Sequence, residues 1–237
     1  TAKFSLSLAQ RPLVRGTLVL TVTGLITRVI GFFYRIYLSR LFGEEGMGIY
    51  QLLAPVLALS FSLCAAAYQT AISKFVAEYT GQGRKQFLPL YSGVLLSLPL
   101  SFLCCALLFT NADFIAASLL LEPRTAPMLH ILAFSIPFSS VHACINGYFY
   151  GVKRTAPPAV AQLLEQLTRV GCVYLITSHV LALGKTPSVN VAVFGLAIGE
   201  VVSMCVCLTA IFFTYKKQAC TPVPGSLAAK SPALLWP

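Results

Sequence analysis

What most constrains this chain is a succession of apolar stretches, each long enough to cross a bilayer. They run from Leu13 to Phe42, Gly48 to Val76, Leu88 to Phe109, Ala126 to Tyr150, Pro158 to Leu181 and Val189 to Tyr215. A helix rises about 1.5 Å per residue, so about twenty residues cross a hydrocarbon core of roughly 30 Å. Lipid offers backbone groups no hydrogen-bond partner, so the choice is between helices and a closed barrel. A barrel would show segments of about ten residues with strict alternation, and these runs are unbroken. The sequence therefore predicts an all-α polytopic membrane protein of about six transmembrane helices. Residues 13–217 would form one helical lobe between a cytoplasmic N-terminus (1–12) and a loose, proline-rich cytoplasmic tail (218–237). Pro55, Pro99 and Pro137 fall inside spans, where each removes a helical hydrogen bond and is expected to kink its helix.

The formal charge of +10 is best understood from where the cations sit. Lys3, Arg11 and Arg15 precede the first span, Lys74, Arg84 and Lys85 follow the second, Lys153 and Arg154 the fourth, and Lys216 and Lys217 the sixth. The opposite side carries Arg40, Arg124 and Lys185 among the acids Glu44, Glu45, Asp113 and Glu122. The positive-inside rule then places both termini in the cytoplasm of a multi-pass cell-membrane protein. The basic excess is topological, and nucleic acid is not an expected partner. Arg28 and Arg35 inside the first run, with no small-residue cleavage site after it, argue against a removable signal peptide. The 8 cysteines lack CxxC pairs and histidines at metal spacing, and are expected to be small core residues.

Polar residues inside the spans are the candidate functional groups. In the first span Thr17, Thr21, Gly24, Arg28, Gly31, Arg35 and Ser39 recur every three or four residues and share one helix face. Two mid-membrane arginines cost about 5 to 7 kcal/mol on translocon scales, so they call for water, an acidic partner or an anionic ligand. Either a hydrated cavity for a large anionic group or ion pairs with neighbouring helices would meet that demand. The fourth span carries a second stripe, Ser135, Ser139, His142, Asn146 and Tyr150, which could face the same cavity. In the fifth, Glu165 precedes Arg169 by four residues, the favourable order for a helical ion pair. In the sixth, Gly195 and Gly199 precede Glu200, which could neutralise Arg28 or Arg35 or serve as a protonatable coupling group.

No HExxH, nucleophile elbow or phosphate-cradling glycine loop is present, so neither an enzyme, a resident metal nor a cofactor is expected.

Four blocks carry a resemblance. TRVIGFFYRIYLSRLFGEEGMGIYQLLAPV (Thr27 to Val56), AISKFVAEYTGQG (Ala71 to Gly83), GYFYG (Gly147 to Gly151) and AQLLEQLTRV (Ala161 to Val170) resemble the polysaccharide-exporter branch of the multidrug/oligosaccharidyl-lipid/polysaccharide flippase superfamily. The resemblance covers about residues 13 to 217 and is nearest to the branch's sporulation members. It implies two six-helix lobes around a cavity that opens alternately to each side, of which this chain would supply the first. The chain would then be a truncated half that works with a second lobe or another copy. The implied substrate is a lipid-linked oligosaccharide of the lipid II type, used in cell-wall or spore-cortex synthesis, with Arg28 and Arg35 as contacts to its anionic headgroup and Gly24, Gly31, His142 and Asn146 beside them. Arg28 and Gly31 match the first-span pattern of lipid II flippases, whereas Tyr34 and Arg35 replace an arginine and an aspartate. Two further readings remain open: a cation-coupled multidrug exporter using Glu165 or Glu200, and a non-transporting scaffold for cell-wall enzymes.

Overall fold

The computed structural model describes residues 12–84 and 86–219, with side chains for 16–84 and 86–216. The expected N-terminal segment, apart from Pro12, and the tail beyond Ala219 lie outside the described residues. All regular structure among the described residues is helical, with no strand. Helix α1 (Pro12–Leu52) is followed by α2 (Ala54–Phe61), a π-helical turn (Ser62–Ala66) and α3 (Ala67–Gly81). Then come α4 (Phe87–Thr110), the short α5 (Ala112–Phe114), a second π turn (Ile115–Leu119) and a 3-10 turn (Pro123–Thr125). Helices α6 (Ala126–Gly151), α7 (Ala156–Ala182) and α8 (Asn190–Ala219) complete the bundle.

Four stretches are long and apolar enough to cross a membrane: Gly16–Gly81, Phe87–Thr110, Pro123–Gly151 and Asn190–Lys216. The first is two arms, because helical geometry is interrupted at Gly43, whose φ of 71° and ψ of −174° suit a residue without a Cβ. The short loop expected after Phe42 is thus a one-residue break. α7, with 27 residues, is about 40 Å long at the helical rise, but Gln162, Glu165, Gln166 and Arg169 make its first half too polar to join that set.

α6 is the hub. Of its apolar window 67% is buried, against 22% for the Gly16–Gly81 and Phe87–Thr110 stretches. It packs against α3, α4 and α8. The approach to α3 depends on glycine: a Cβ at Gly147 would lie 2.6 Å from the Gln69 carbonyl oxygen, and one at Gly151 2.8 Å from that of Ser73. Small residues let membrane helices meet backbone to backbone, where lipid supplies no hydrophobic drive. The first π turn fits the same contact, for Ser140 Oγ donates to the Cys64 carbonyl at 2.9 Å. Pro55 stands at the start of α2, just after the break at Leu53, whereas Pro99 and Pro137 lie within α4 and α6, which continue through them.

Around this hub Tyr148, Phe149, Ile72 and Val76 form one apolar core, Leu53, Leu129 and Leu132 a second, and Tyr34, Leu38 and Val173 a third. Phe32 and Phe33 on α1 and Leu95, Leu96 and Phe102 on α4 point outward, as lipid-facing side chains do. The described cysteines are all free.

Candidate functional site

Close packing of α7 on α8 brings distant acids together. A Cβ on Gly199 would lie 3.0 Å from the Glu165 carbonyl oxygen and 3.5 Å from Arg169 Cβ, and one on Gly195 would collide with Val173. The two glycines therefore let α8 lie against the turn of α7 that carries Glu165 and Arg169, and Glu200 follows directly on the same helix. Arg169 Nη2 donates to Glu165 Oε1 at 2.5 Å, with both side chains about one-fifth exposed. From α6, His142 Nδ1 lies 2.9 Å from Glu200 Oε1. The Asn146 amide nitrogen, one turn along α6, is 2.9 Å from His142 Nε2, and Ser203 Oγ of α8 reaches the same nitrogen at 3.0 Å. Ser203 Oγ also lies 3.3 Å from the Ala161 carbonyl, and Cys207 Sγ is 3.4 Å from Asn146 Oδ1.

Three helices thus supply one polar network, which borders a cavity of about 270 Å³. Ser139, Tyr150, Gln162 and Gln69 line it beside His142, Asn146, Glu165 and Glu200. Of the stripe expected on the fourth span, Ser139, His142, Asn146 and Tyr150 share this cavity, while Ser135 is buried and bonds the Leu132 carbonyl. One ligand atom each from His142, Glu165 and Glu200 falls within 4.8 Å of the others, a spacing a metal ion could bridge. These atoms already serve one another and Arg169, however, and the guanidinium on Glu165 leaves too little negative charge for a divalent ion. We read the set as a hydrogen-bonded network.

The first-span arginines lie elsewhere. Arg28 and Arg35 are exposed, neither lines this cavity, and neither has a carboxylate partner among the described residues. α1 instead packs on α7 through Thr23, Tyr34 and Leu38, which are buried. Thr155 Oγ1 donates to the Gly16 carbonyl at 3.2 Å, and Gly31 faces Gln166. A Cβ on Gly24 would meet nothing within 4 Å, so the space beside Arg28 is open. Glu200, one candidate counter-ion for these arginines, is engaged by His142 instead.

A third charged group lies in the connection between α4 and α6. Arg124 bonds Glu122 at 2.8 Å and Glu45 at 2.7 Å, with Arg124 and Glu45 well exposed. The guanidinium hydrogen bond holds the Glu122 carboxyl below its ordinary range.

The sequence pattern did not mark Ser203 and Cys207 as members of the network, nor Gln69 as part of the cavity lining. Only Ser203 had a legible signal, since it stands three residues after Glu200 on the same helix face. Among the described residues the buried Tyr34 hydroxyl has no hydrogen-bond partner, and neither has Arg169 Nε.

A helical bundle with charged groups held inside apolar spans defines a multi-pass membrane protein. Residues 13–228 match the family described as polysaccharide biosynthesis protein, and the chain belongs to that family. It is 31% identical over 212 residues to stage V sporulation protein B of Bacillus subtilis (strain 168), a match covering 89% of this chain and 40% of that protein. It is also 26% identical over 205 residues to the lipid II flippase MurJ of the same organism, covering 79% of this chain and 37% of that protein. Sporulation protein YkvU of Bacillus subtilis (strain 168) is 26% identical over 168 residues, with 68% and 35% covered. The chain thus spans less than half the length of the curated relatives it matches.

Proposed function

We propose that this chain is one lobe of a flippase that carries a lipid-linked oligosaccharide of the lipid II type across the cell membrane, for cell-wall or spore-cortex synthesis. It would work with a second lobe or another copy, with both termini in the cytoplasm. The observation that carries this reading is the pair Arg28 and Arg35, exposed on a membrane helix without carboxylate partners. Left in lipid, each costs about 2.5 to 3.5 kcal/mol. A lipid-linked sugar pyrophosphate offsets that cost, since its anionic oxygens accept charge-assisted hydrogen bonds while its tail stays in the bilayer. The open space at Gly24 gives the headgroup room. Movement would come from rocking of one lobe against the other, with no covalent step. The family membership and the relative named as a lipid II flippase support the same reading.

The test is translocation of fluorescent lipid II in proteoliposomes, with this chain alone and joined to the remaining length of a relative. The joined form should move the headgroup, and Arg28→Ala with Arg35→Ala should reduce the rate at least about tenfold, the equivalent of one lost charged hydrogen bond. Translocation untouched by the double substitution would sink the assignment. A second reading, a cation-coupled multidrug exporter of the same superfamily, draws on Glu165 and Glu200 at the polar cavity. It predicts that a lipophilic cation, not lipid II, is moved.

A further inference from the structure

The enclosed network carries two carboxylates, Glu165 and Glu200, and one guanidinium, Arg169. With a neutral imidazole it therefore holds one uncompensated negative charge inside an apolar bundle. A charge in that position is costly unless it is neutralised or hydrated. The hydrogen bonds show where neutralisation can occur. If His142 donates from Nδ1 to Glu200, then Nε2 is the atom still free to take a proton, and it now faces the Asn146 amide nitrogen and Ser203 Oγ. Ser203 can accept from a protonated Nε2 while donating its own hydrogen to the Ala161 carbonyl. Asn146 needs only to reverse its amide, presenting Oδ1 to the ring.

We propose that His142, Glu165, Arg169 and Glu200 form a single-proton site, in which Nε2 of His142 binds one proton to make the cluster neutral and releases it when the adjoining cavity opens to water. The groups facing His142 are Glu165 from α7, itself paired with Arg169, Glu200 and Cys207 from α8, and Tyr150 on its own helix. α2 and α3 contribute Phe61 and Gln69 to the cavity, and α4 contributes nothing to its lining. The balance is simple: one proton enters from water, no bond other than N–H forms, and the net charge of the cluster changes from −1 to zero. A divalent metal would overcharge this set. An alkali cation would need several free oxygens, and one of the Glu200 oxygens is already taken by the ring.

The site itself stands on this geometry; only its use in transport rests on the flippase reading. Nitrogen-15 NMR of histidine-labelled chain in lipid nanodiscs tests it, with the His142 signal assigned by its loss in His142→Gln. The enclosed wild-type site should give an imidazolium signal at neutral pH and lose one proton on alkalinisation. Glu200→Gln removes the unbalanced charge and should leave the ring neutral at the same pH. Glu165→Gln removes the same unit charge without touching the ring, and covers the case in which Glu200→Gln fails to fold. A ring that stays neutral in wild type, or stays charged in both variants, overturns the proposal. So does a saturable response to sodium at constant ionic strength that exceeds the response to pH. If the ring titrates as expected, lipid II movement should change with pH by up to about tenfold per unit, as for one linked proton, and that dependence should vanish in His142→Gln. Titration without movement of lipid II by any form would count against the flippase reading and leave the proton site standing.

Discussion

Two regions of this molecule hold charge at membrane depth, and they handle it in opposite ways. In the α6, α7 and α8 interior, Glu165 pairs with Arg169 and His142 with Glu200, and the ligand atoms of His142, Glu165 and Glu200 lie within 4.8 Å of one another. On α1, Arg28 and Arg35 stand exposed with no acid opposite them. Satisfied charges hold helices in one arrangement; unsatisfied ones make a binding surface, because a ligand can supply what the fold withholds. Gly31, between the two arginines on α1, faces Gln166, whose amide oxygen lies 3.5 Å from Arg169 Nη1, so the two regions adjoin there.

The largest expected effect breaks the enclosed side of the comparison. Arg169→Ala strands Glu165 beside Glu200, and removing one partner of a buried pair costs about 3 to 5 kcal/mol. Unfolding in a mixed-micelle denaturant titration should show that loss, and a stability within about 1 kcal/mol of wild type would mean that the pair is hydrated rather than enclosed. Arg28→Leu should behave in the opposite sense. With no partner to strand, it removes a residue that costs about 2.5 to 3.5 kcal/mol in lipid, so the same titration should show equal or greater stability while lipid II translocation falls. Destabilisation by Arg28→Leu would place that arginine in a structural pair and erase the distinction.

Packing provides a smaller contrast between the same regions. Gly199→Ala sets a Cβ 3.0 Å from the Glu165 carbonyl and should cost about 1 to 3 kcal/mol as overpacking. Gly24→Ala meets nothing within 4 Å and should be neutral or stabilising by roughly 0.5 to 1 kcal/mol, the helix preference for alanine over glycine. If both substitutions prove equally harmless, the contact of α7 with α8 is looser than the geometry implies.

The same contrast governs how much could be read from the sequence. Span positions follow from local hydropathy and were legible to within a few residues, as was the all-α class. The pair Glu165 and Arg169 was legible because both lie on one helix, four apart. The meeting of His142 with Glu200 was not, since 58 residues separate them and only the packing of α6 on α8, a tertiary event, sets their distance. The stripe on α1 was readable as a periodicity, but its exposure was not, because periodicity marks a face without saying what covers it. The break after Phe42 was legible as the gap between two apolar runs, though not its one-residue length at Gly43, and the π turns left no pattern.

Charges in water provide the control for both membrane regions, and the smallest expected effect. Arg124 and Glu45 are 62% and 74% exposed at their side chains, so water screens their ion pair and its deletion should be hard to detect. Glu122 still has a signature in pH. Its folded value is lowered beneath 4.5 by the Arg124 hydrogen bond, so the stability it contributes is present above that pH and is lost as pH falls through the lowered folded value. Glu122→Gln should therefore lower the melting temperature slightly at neutral pH and converge with wild type in acid, flattening the acid limb of the profile, and added salt should shrink the difference. A salt-resistant difference persisting at neutral pH would show that this outer group, like the enclosed network, holds its charges away from water, and would move the boundary between the two behaviours to the end of the bundle.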